Sequence, residues 1–177
     1  MTKISKKMPI AELGALVCES LKKEGIDAFL SGGAVVSIYT NNLYESFDLD
    51  FVSLADRTKI KKVMESLGFL QDRSRLYRHP DSLYLVEFPG SAVQIGDQPI
   101  EKFAKLKLKN GILKLLTPTD CVKDRLAAFY YWNDQQGLDQ ACWVANAHPV
   151  KLKEVERWSK KERQMEKFKV FSERMKP

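Results

Sequence analysis

The feature that most constrains this chain is the stretch Phe29–Val52, in which a Gly-Gly pair and an Asp-x-Asp pair stand about one short helix apart. A short apolar run ends at Ser31–Gly33, and a second apolar run contains Asp48 and Asp50. The pattern predicts a strand, a glycine turn, a helix and a second strand. Because residues i and i+2 of a strand point to the same side, the two carboxylates are expected to converge.

The Asp48 and Asp50 pair predicts a metal site. Two neighbouring carboxylates repel each other and are costly to bury unless a cation lies between them. A hard divalent ion that takes oxygen ligands and substrate phosphates suits the pair, with Mg²⁺ expected first and Mn²⁺ as the alternative. The competing interpretation is an edge strand with a solvated acidic face, but the apolar neighbours Leu49 and Phe51 favour a central strand.

The glycine pair has two interpretations. Gly32 and Gly33 suit an ordinary turn that needs unusual backbone angles. They also suit a phosphate site, because bare N–H groups at the start of the helix predicted over 34–40 attract anions, and Ser31 adds a hydroxyl. The acid pair downstream favours the phosphate interpretation.

The glycine pair and the segment Ser46–Phe51 together resemble the signature of the DNA polymerase beta–type nucleotidyltransferase superfamily. The chain is most similar to the small stand-alone bacterial and archaeal members, including the abortive-infection and toxin–antitoxin types. In those, the segment often reads Arg-x-Ser/Thr-x-Asp-x-Asp. Ser46 matches this pattern, whereas Tyr44 stands where the arginine would be. The resemblance covers roughly the first two thirds of the chain and the helical tail only loosely.

The resemblance implies an α/β (α+β) fold with a nucleotidyltransferase-like mixed sheet, flanking helices and a C-terminal helical extension. It also implies a Mg²⁺-dependent enzyme that moves a nucleoside monophosphate from a nucleoside triphosphate, such as ATP, to an acceptor hydroxyl. Asp48 and Asp50 would hold the metal. The residues expected around the nucleotide are Ser31, Gly32, Gly33 and Ser46.

A third acid and a lysine complete the expected site. Glu87 is out of place in the apolar strand predicted over Leu83–Phe88, and such local inconsistencies tend to mark function. In the family, a neighbouring strand supplies a third carboxylate that acts as general base or completes the metal shell, and the resemblance gives this role to Glu87. It likewise gives Lys123 a contact with the nucleotide phosphates. A strand-end glutamate facing water and an ordinary exposed helix lysine are the alternatives.

Two other functions stay open at this stage. The same fold serves equally as a catalytically inactive binding module for nucleotide, RNA or a partner protein, and the tyrosine at position 44 favours that alternative. A plain basic interaction protein with an incidental acid pair is the third. The sequence leaves open which triphosphate is used, the oligomeric state, and whether the acceptor is RNA or tRNA, a protein or a small molecule.

The 177 residues fit one compact unit, with a nucleotidyltransferase core over 1–118 and a helical region over 119–177 packed on it. The final helix is predicted from Val150 to about Arg174, with an apolar stripe along one side. Upstream, Asn110-Gly111 predicts a hairpin. That hairpin gathers on one side Lys102, Lys105, Lys107, Lys109 and Lys114.

The excess of basic over acidic residues indicates which partners the chain could bind. A net charge of +6 and a pI of about 9.1 favour a polyanion such as nucleic acid or a triphosphate, or else describe a merely solvated basic surface. The hairpin lysines either contact phosphates or protect an edge strand. Three widely spaced cysteines predict buried free thiols in a reducing cytoplasm, and no apolar run approaches the length needed to span a membrane.

Overall fold

The computed structural model describes residues 3–72, 75–90 and 93–175. The helices are α1 (Ile10–Lys23), α2 (Gly32–Tyr39), α3 (Arg57–Ser66), α4 (Pro118–Trp132), α5 (Gln135–Ala147), α6 (Leu152–Lys161) and α7 (Met165–Arg174). The strands are β1 (Phe29–Ser31), β2 (Asp48–Val52), β3 (Leu70–Asp72), β4 (Leu76–Arg78), β5 (Leu85–Glu87), β6 (Gln94–Ile95), β7 (Gln98–Pro99), β8 (Phe103–Leu108) and β9 (Gly111–Leu116). The expected α/β fold with a helical C-terminal region is confirmed.

The main sheet is mixed and has β2 near its centre. Within the described ranges its strand order is β3-β4-β5-β2-β1-β9-β8, and β6 and β7 form a separate hairpin. β2 runs antiparallel to β1 and parallel to β5. The prediction that the acid pair lies on a central strand is therefore confirmed. Since both neighbours of β2 are strands, its side chains are held in a fixed register on both sides.

One face of the sheet is covered closely by α1. Gly14 makes the close approach possible, because a Cβ atom there would lie 3.1 Å from Cδ1 of Leu113 and 3.4 Å from Cδ2 of Leu49. Both leucines are fully buried. Alternation along β2 turns Leu49 and Phe51 toward this covered face and the two aspartates toward the opposite one.

The predicted hairpin at Asn110-Gly111 is confirmed as β8 and β9. Lys105 lies directly opposite Lys114, whose ammonium is 2.7 Å from the carboxylate of Asp27. β8 is an edge strand of the sheet, and its Lys105 and Lys107 are exposed. Lysines on an edge strand discourage pairing with another chain, so this placement suits the edge-protection interpretation.

The prediction of one continuous helix from Val150 to about Arg174 is wrong. α6 ends at Lys161 and α7 begins at Met165, because Arg163 adopts a left-handed backbone with φ of +59°. The turn is closed by Gln164 N–H, which donates to the carbonyl of Ser159. The helices after Pro118 share one continuous buried cluster with the sheet, to which Leu126, Trp158 and Phe171 belong.

Cys18, Cys121 and Cys142 are buried and free, as the sequence predicts. Burial raises the pKa of the Cys18 thiol to about 11 and that of the Cys142 thiol to about 11. In the part of the chain that the structure describes, no helix combines the length and the apolar character needed to cross a membrane.

Leu113→Ala tests the packing of α1 on the sheet. Removing the buried leucine next to Gly14 leaves a cavity and should lower the free energy of unfolding by about 2–5 kcal/mol. Urea unfolding measures the loss. Ile112→Ala is the matched control, because Ile112 is the next residue of β9, points to the other face and is 39% exposed. Equal losses for the two variants would contradict the assigned faces.

Candidate active site

The two predicted acids lie on the face of β2 that α1 does not cover. Asp48 is exposed and Asp50 is half-buried. Parallel pairing of β2 with β5 sets Asp50 beside Glu87, and antiparallel pairing with β1 sets it beside Ser31. Residues paired across strands share a face, so the structure brings Asp48, Asp50 and Glu87 to one face of the sheet.

The surroundings of Asp50 disfavour its charge. Burial raises the pKa of the Asp50 carboxyl to about 6, and the nearby carboxylates of Glu87 and Asp48 contribute in the same direction. The guanidinium of Arg125 acts in the opposite sense. A group that is hard to ionise next to two further carboxylates is the electrostatic condition that a bound cation would relieve.

The carboxylate of Asp50 packs against the backbone of Gly32. Gly32 has a φ of +69°, and a Cβ atom there would lie 2.5 Å from Oδ2 of Asp50. Glycine is thus required both by the backbone angle and by the close approach of the acid. The hydroxyl of Ser31 donates to the carbonyl of Asp50 over 3.2 Å, which ties β1 to β2 at the same point.

Tyr44 and Ser46 lie over the second glycine. A Cβ atom at Gly33 would be 3.1 Å from Cε1 of Tyr44 and 3.4 Å from Oγ of Ser46. The hydroxyl of Ser46 also donates to the carbonyl of Asp48 over 2.9 Å, and its backbone N–H donates to Oγ of Ser37. Ser46 therefore holds the loop before β2 against α2 and fixes where Asp48 begins the strand.

Lys123 lies in a buried polar cluster. Its side chain is 1% exposed, and its ammonium is 2.8 Å from Oε1 of Glu154, 3.3 Å from Oδ1 of Asp120 and 3.5 Å from Oε1 of Gln98. These contacts join α4 to α6 and to the β6–β7 hairpin. A nucleotide would reach the ammonium only if they opened, so phosphate contact by Lys123 stays a prediction.

Asp124 and Arg125 of α4 lie near the site, although the sequence did not identify them as candidate site residues. The guanidinium of Arg125 binds the Asp124 carboxylate, with Nη2 2.6 Å and Nε 3.0 Å from Oδ2. Both charges are close enough to Asp50 to influence its pKa. The available signal was the run Lys123-Asp124-Arg125, in which three consecutive charged residues interrupt the apolar pattern of the predicted helix.

The donors at this face suit a hard divalent cation in kind. Asp48, Asp50 and Glu87 offer carboxylate oxygens, and Mg²⁺ is commonly held by one or two carboxylates together with substrate phosphates. Over residues 3–72, 75–90 and 93–175, no group of three or more His, Cys, Asp or Glu side chains is already gathered closely enough to hold a metal ion. The three carboxylates are thus of the right chemical kind for Mg²⁺ but do not form a preassembled metal site.

The fold is similar to that of a known nucleotidyltransferase-like protein. The crystal structure of an antigenic nucleotidyltransferase-like protein from Paracoccidioides brasiliensis matches with a TM-score of 0.57 and 15% identity, over 79% of this chain and 77% of that one. The solution structure of the antibiotic-resistance factor ANT(2'')-Ia gives a TM-score of 0.45 and 15% identity, over 92% of this chain and 88% of that one. No protein-family model and no curated protein matches the chain significantly. The first likeness shows a nucleotidyltransferase-like fold.

Gly32→Ala tests the contact between the glycine turn and Asp50. A left-handed alanine costs about 1–2 kcal/mol by itself. Gly25→Ala is the matched control, because Gly25 has a φ of +70° and a Cβ atom there would meet nothing within 4 Å. Gly32→Ala should therefore cost clearly more than Gly25→Ala in urea unfolding. In an Asp50→Ala background the two costs should become similar, and an unchanged difference there would contradict the contact.

Asp50→Asn tests the pKa of the buried carboxyl. The pKa in the folded protein is about 6 against an ordinary 3.8, so the wild type loses stability as the pH rises through this interval and the group ionises. The asparagine variant should escape this loss and be more stable than the wild type above pH 6, by up to about 3 kcal/mol. Urea unfolding near pH 4 and near pH 8 measures the difference. A gain of the same size at both pH values would refute the shift.

Proposed function

We propose that this protein is a Mg²⁺-dependent nucleotidyltransferase that moves a nucleoside monophosphate from a nucleoside triphosphate to an acceptor hydroxyl. The observation that carries the proposal is the Asp50 carboxylate, packed on the Gly32 turn between the charges of Asp48 and Glu87. The nucleotidyltransferase-like fold supports it. Within that class, the Ser46-x-Asp48-x-Asp50 segment favours the small type to which abortive-infection and toxin members belong.

The start of α2 is the proposed phosphate subsite. The first N–H groups of a helix have no partner within the helix and carry the positive end of its dipole, so they attract anions. In α2 these groups follow Ser31, whose side chain makes no capping bond to them. We assign the triphosphate to this end of the helix, with Gly32 and Gly33 giving access to the backbone and Ser31 and Ser46 at the margin.

Asp48 and Asp50 are the proposed metal ligands, and Glu87 either completes the metal shell or acts as the general base. When bound, Mg²⁺ or Mn²⁺ would neutralise charge on the phosphates and orient the attacking and leaving oxygens. The ligand role explains why a carboxylate with a raised pKa is kept at position 50. It also requires Asp50 to be ionised, so binding of the ion and of a proton at Asp50 should compete.

Glu87 is the proposed acceptor of the proton. The acceptor oxygen attacks the α-phosphorus, the bond from that phosphorus to the pyrophosphate oxygen breaks, and the hydroxyl proton passes to Glu87. Parallel pairing sets Glu87 beside Asp50, a proposed metal ligand, which supports its role as the base. Arg125 carries a positive charge near Asp50 and can stabilise the negative charge that develops on the phosphate oxygens.

A catalytically inactive nucleotide-binding module is the second candidate. It is favoured by Tyr44, whose ring lies against Gly33 at the position where the family carries an arginine. A module of this kind would bind a triphosphate at the same glycine turn without releasing pyrophosphate. Binding and turnover therefore have to be measured separately.

Melting temperature with each triphosphate, with and without Mg²⁺, is the test of binding. A ligand that binds only the folded protein raises its stability, so the correct triphosphate should raise the melting temperature in a Mg²⁺-dependent manner. Pyrophosphate release with pooled RNA, protein and small hydroxyl acceptors tests turnover. A shift without pyrophosphate release for any acceptor would favour the module, and no shift with any triphosphate would overturn both candidates.

Asp48→Asn should abolish the Mg²⁺-dependent shift and lower transfer by at least about a hundredfold, because a neutral amide is a poor ligand for Mg²⁺. Asp48 is exposed, so the variant should still fold. Glu65→Gln is the control, since Glu65 is an exposed acid of α3 that pairs with Lys61. Full transfer activity in Asp48→Asn would show that the metal mechanism is wrong.

A further inference from the structure

A second surface, apart from the carboxylate site, combines exposed aromatic rings with unpaired cations. We call it the aromatic–basic surface and define it by five residues. They are Tyr131 and Trp132 at the end of α4, and Lys160, Lys161 and Arg163 at the turn between α6 and α7. None of these residues has a part in the proposed transfer reaction.

The two rings are unusually open to solvent for residues of their size. Trp132 is 78% exposed and Tyr131 is 47% exposed. Their centroids are 6.0 Å apart in an edge-to-face arrangement. Large aromatic residues gain most from burial, so two adjacent exposed rings are a candidate contact surface for a ligand.

Contacts between α4 and α6 hold the rings next to the basic turn. Tyr130 stacks on Trp158 with 5.4 Å between centroids, and its hydroxyl is 2.8 Å from that of Ser159. The hydroxyl of Tyr131 donates to the carboxylate of Glu162, which lies between Lys161 and Arg163 in the sequence. The contact between Tyr131 and Glu162 therefore joins the end of α4, with its two rings, to the turn that carries the cations.

The cations of this surface are available to a ligand. Lys160, Lys161 and Arg163 are exposed. Among the residues that the structure describes, none of the three forms a salt bridge. Residues 150–175 carry nine Lys or Arg against five Asp or Glu, so most of the net charge of +6 resides in this segment.

We propose that the aromatic–basic surface binds single-stranded nucleic acid, with a base stacked on Trp132 and backbone phosphates on Lys160, Lys161 and Arg163. Proteins that bind single strands combine cations along the backbone with aromatic rings that accept a base. The surface provides both elements. A polyanion without rings, such as polyglutamate, would satisfy the cations but leave the indole face uncovered.

The surface also lies within reach of the carboxylate site. Trp132 is about 10 Å from Arg125 along the axis of α4, at about 1.5 Å per residue. If the chain transfers nucleotides, the bound strand is the candidate acceptor. That extension rests on the proposed function, whereas binding of the strand does not, because the surface contains none of the proposed metal ligands.

Fluorescence anisotropy with labelled oligouridylate and oligothymidylate, without Mg²⁺ or nucleotide, tests the proposal. Trp132→Ala should weaken binding roughly tenfold, and Trp132→Phe should restore most of it, because any aromatic ring can stack on a base. Lys160→Gln/Lys161→Gln should reduce the slope of log affinity against log salt by about 1.4 for two lost phosphate contacts. Comparing the two oligonucleotides shows whether the ligand is RNA or DNA.

Three controls make the test decisive. Leu54→Ala removes another exposed apolar side chain, 75% exposed, and Lys59→Gln/Lys62→Gln removes two exposed lysines of α3; both should bind as the wild type does. Asp48→Asn should bind as well as the wild type, even if it ends catalysis. No binding at low salt, or equal losses in Trp132→Ala and Leu54→Ala, would overturn the proposal. So would polyglutamate bound as tightly as the oligonucleotides and weakened equally by Trp132→Ala.

Discussion

The close packing of the Asp50 carboxylate on the backbone of Gly32 is the constraint on which the candidate site depends. The contact leaves no room for a Cβ atom at position 32, and the positive φ there directs the chain from β1 into α2. The same step brings the free N–H groups at the start of α2 beside a strand that carries two acids. The proposed phosphate subsite and the proposed cation subsite thus share a single turn.

The charge on Asp50 lowers the stability of the folded protein. Burial and two neighbouring carboxylates raise the pKa of Asp50, so ionising this carboxyl lowers the stability of the folded protein. Such a cost is common where side chains are arranged for binding rather than for stability. The buried face of β2 compensates, because Leu49 and Phe51 anchor the strand under α1. The proposed binding role and the anchoring role therefore belong to opposite faces of β2.

The C-terminal helices do more than cover the sheet. Lys123 joins α4 to α6 through Glu154, and Tyr130 and Trp158 stack between the same helices. Two features follow from that junction. The charges of Asp124 and Arg125 are held near Asp50, and Trp132 is held out in solvent beside three cations. The helical region is thus part of the candidate site and also carries a surface of its own.

Local sequence was enough for the elements whose signals are local. The Gly32-Gly33 turn, the central position of β2 and the Asn110-Gly111 hairpin follow from residue types and short spacings, because glycine angles and strand alternation act over a few residues. The break between α6 and α7 could not be predicted, since it occurs at Arg163 without a glycine or proline to mark it. The turn makes contacts with residues distant in sequence, such as that of Glu162 with Tyr131. The spacing of apolar residues within the segment does not reveal such contacts.

The chain by itself determined that two carboxylates on one strand would follow a glycine turn, because the spacing of side chains along a strand is a property of the backbone. Only the tertiary structure decided which other charges meet them. Pairing of β2 with β5 brings Glu87 to Asp50, and the packing of α4 brings Arg125 close while it buries Lys123 among acids. Glu87 and Arg125 are far from Asp50 in sequence. Lys123 and Arg125 are only two residues apart on α4, yet they have different partners. Their roles therefore depend on how the helices and strands pack.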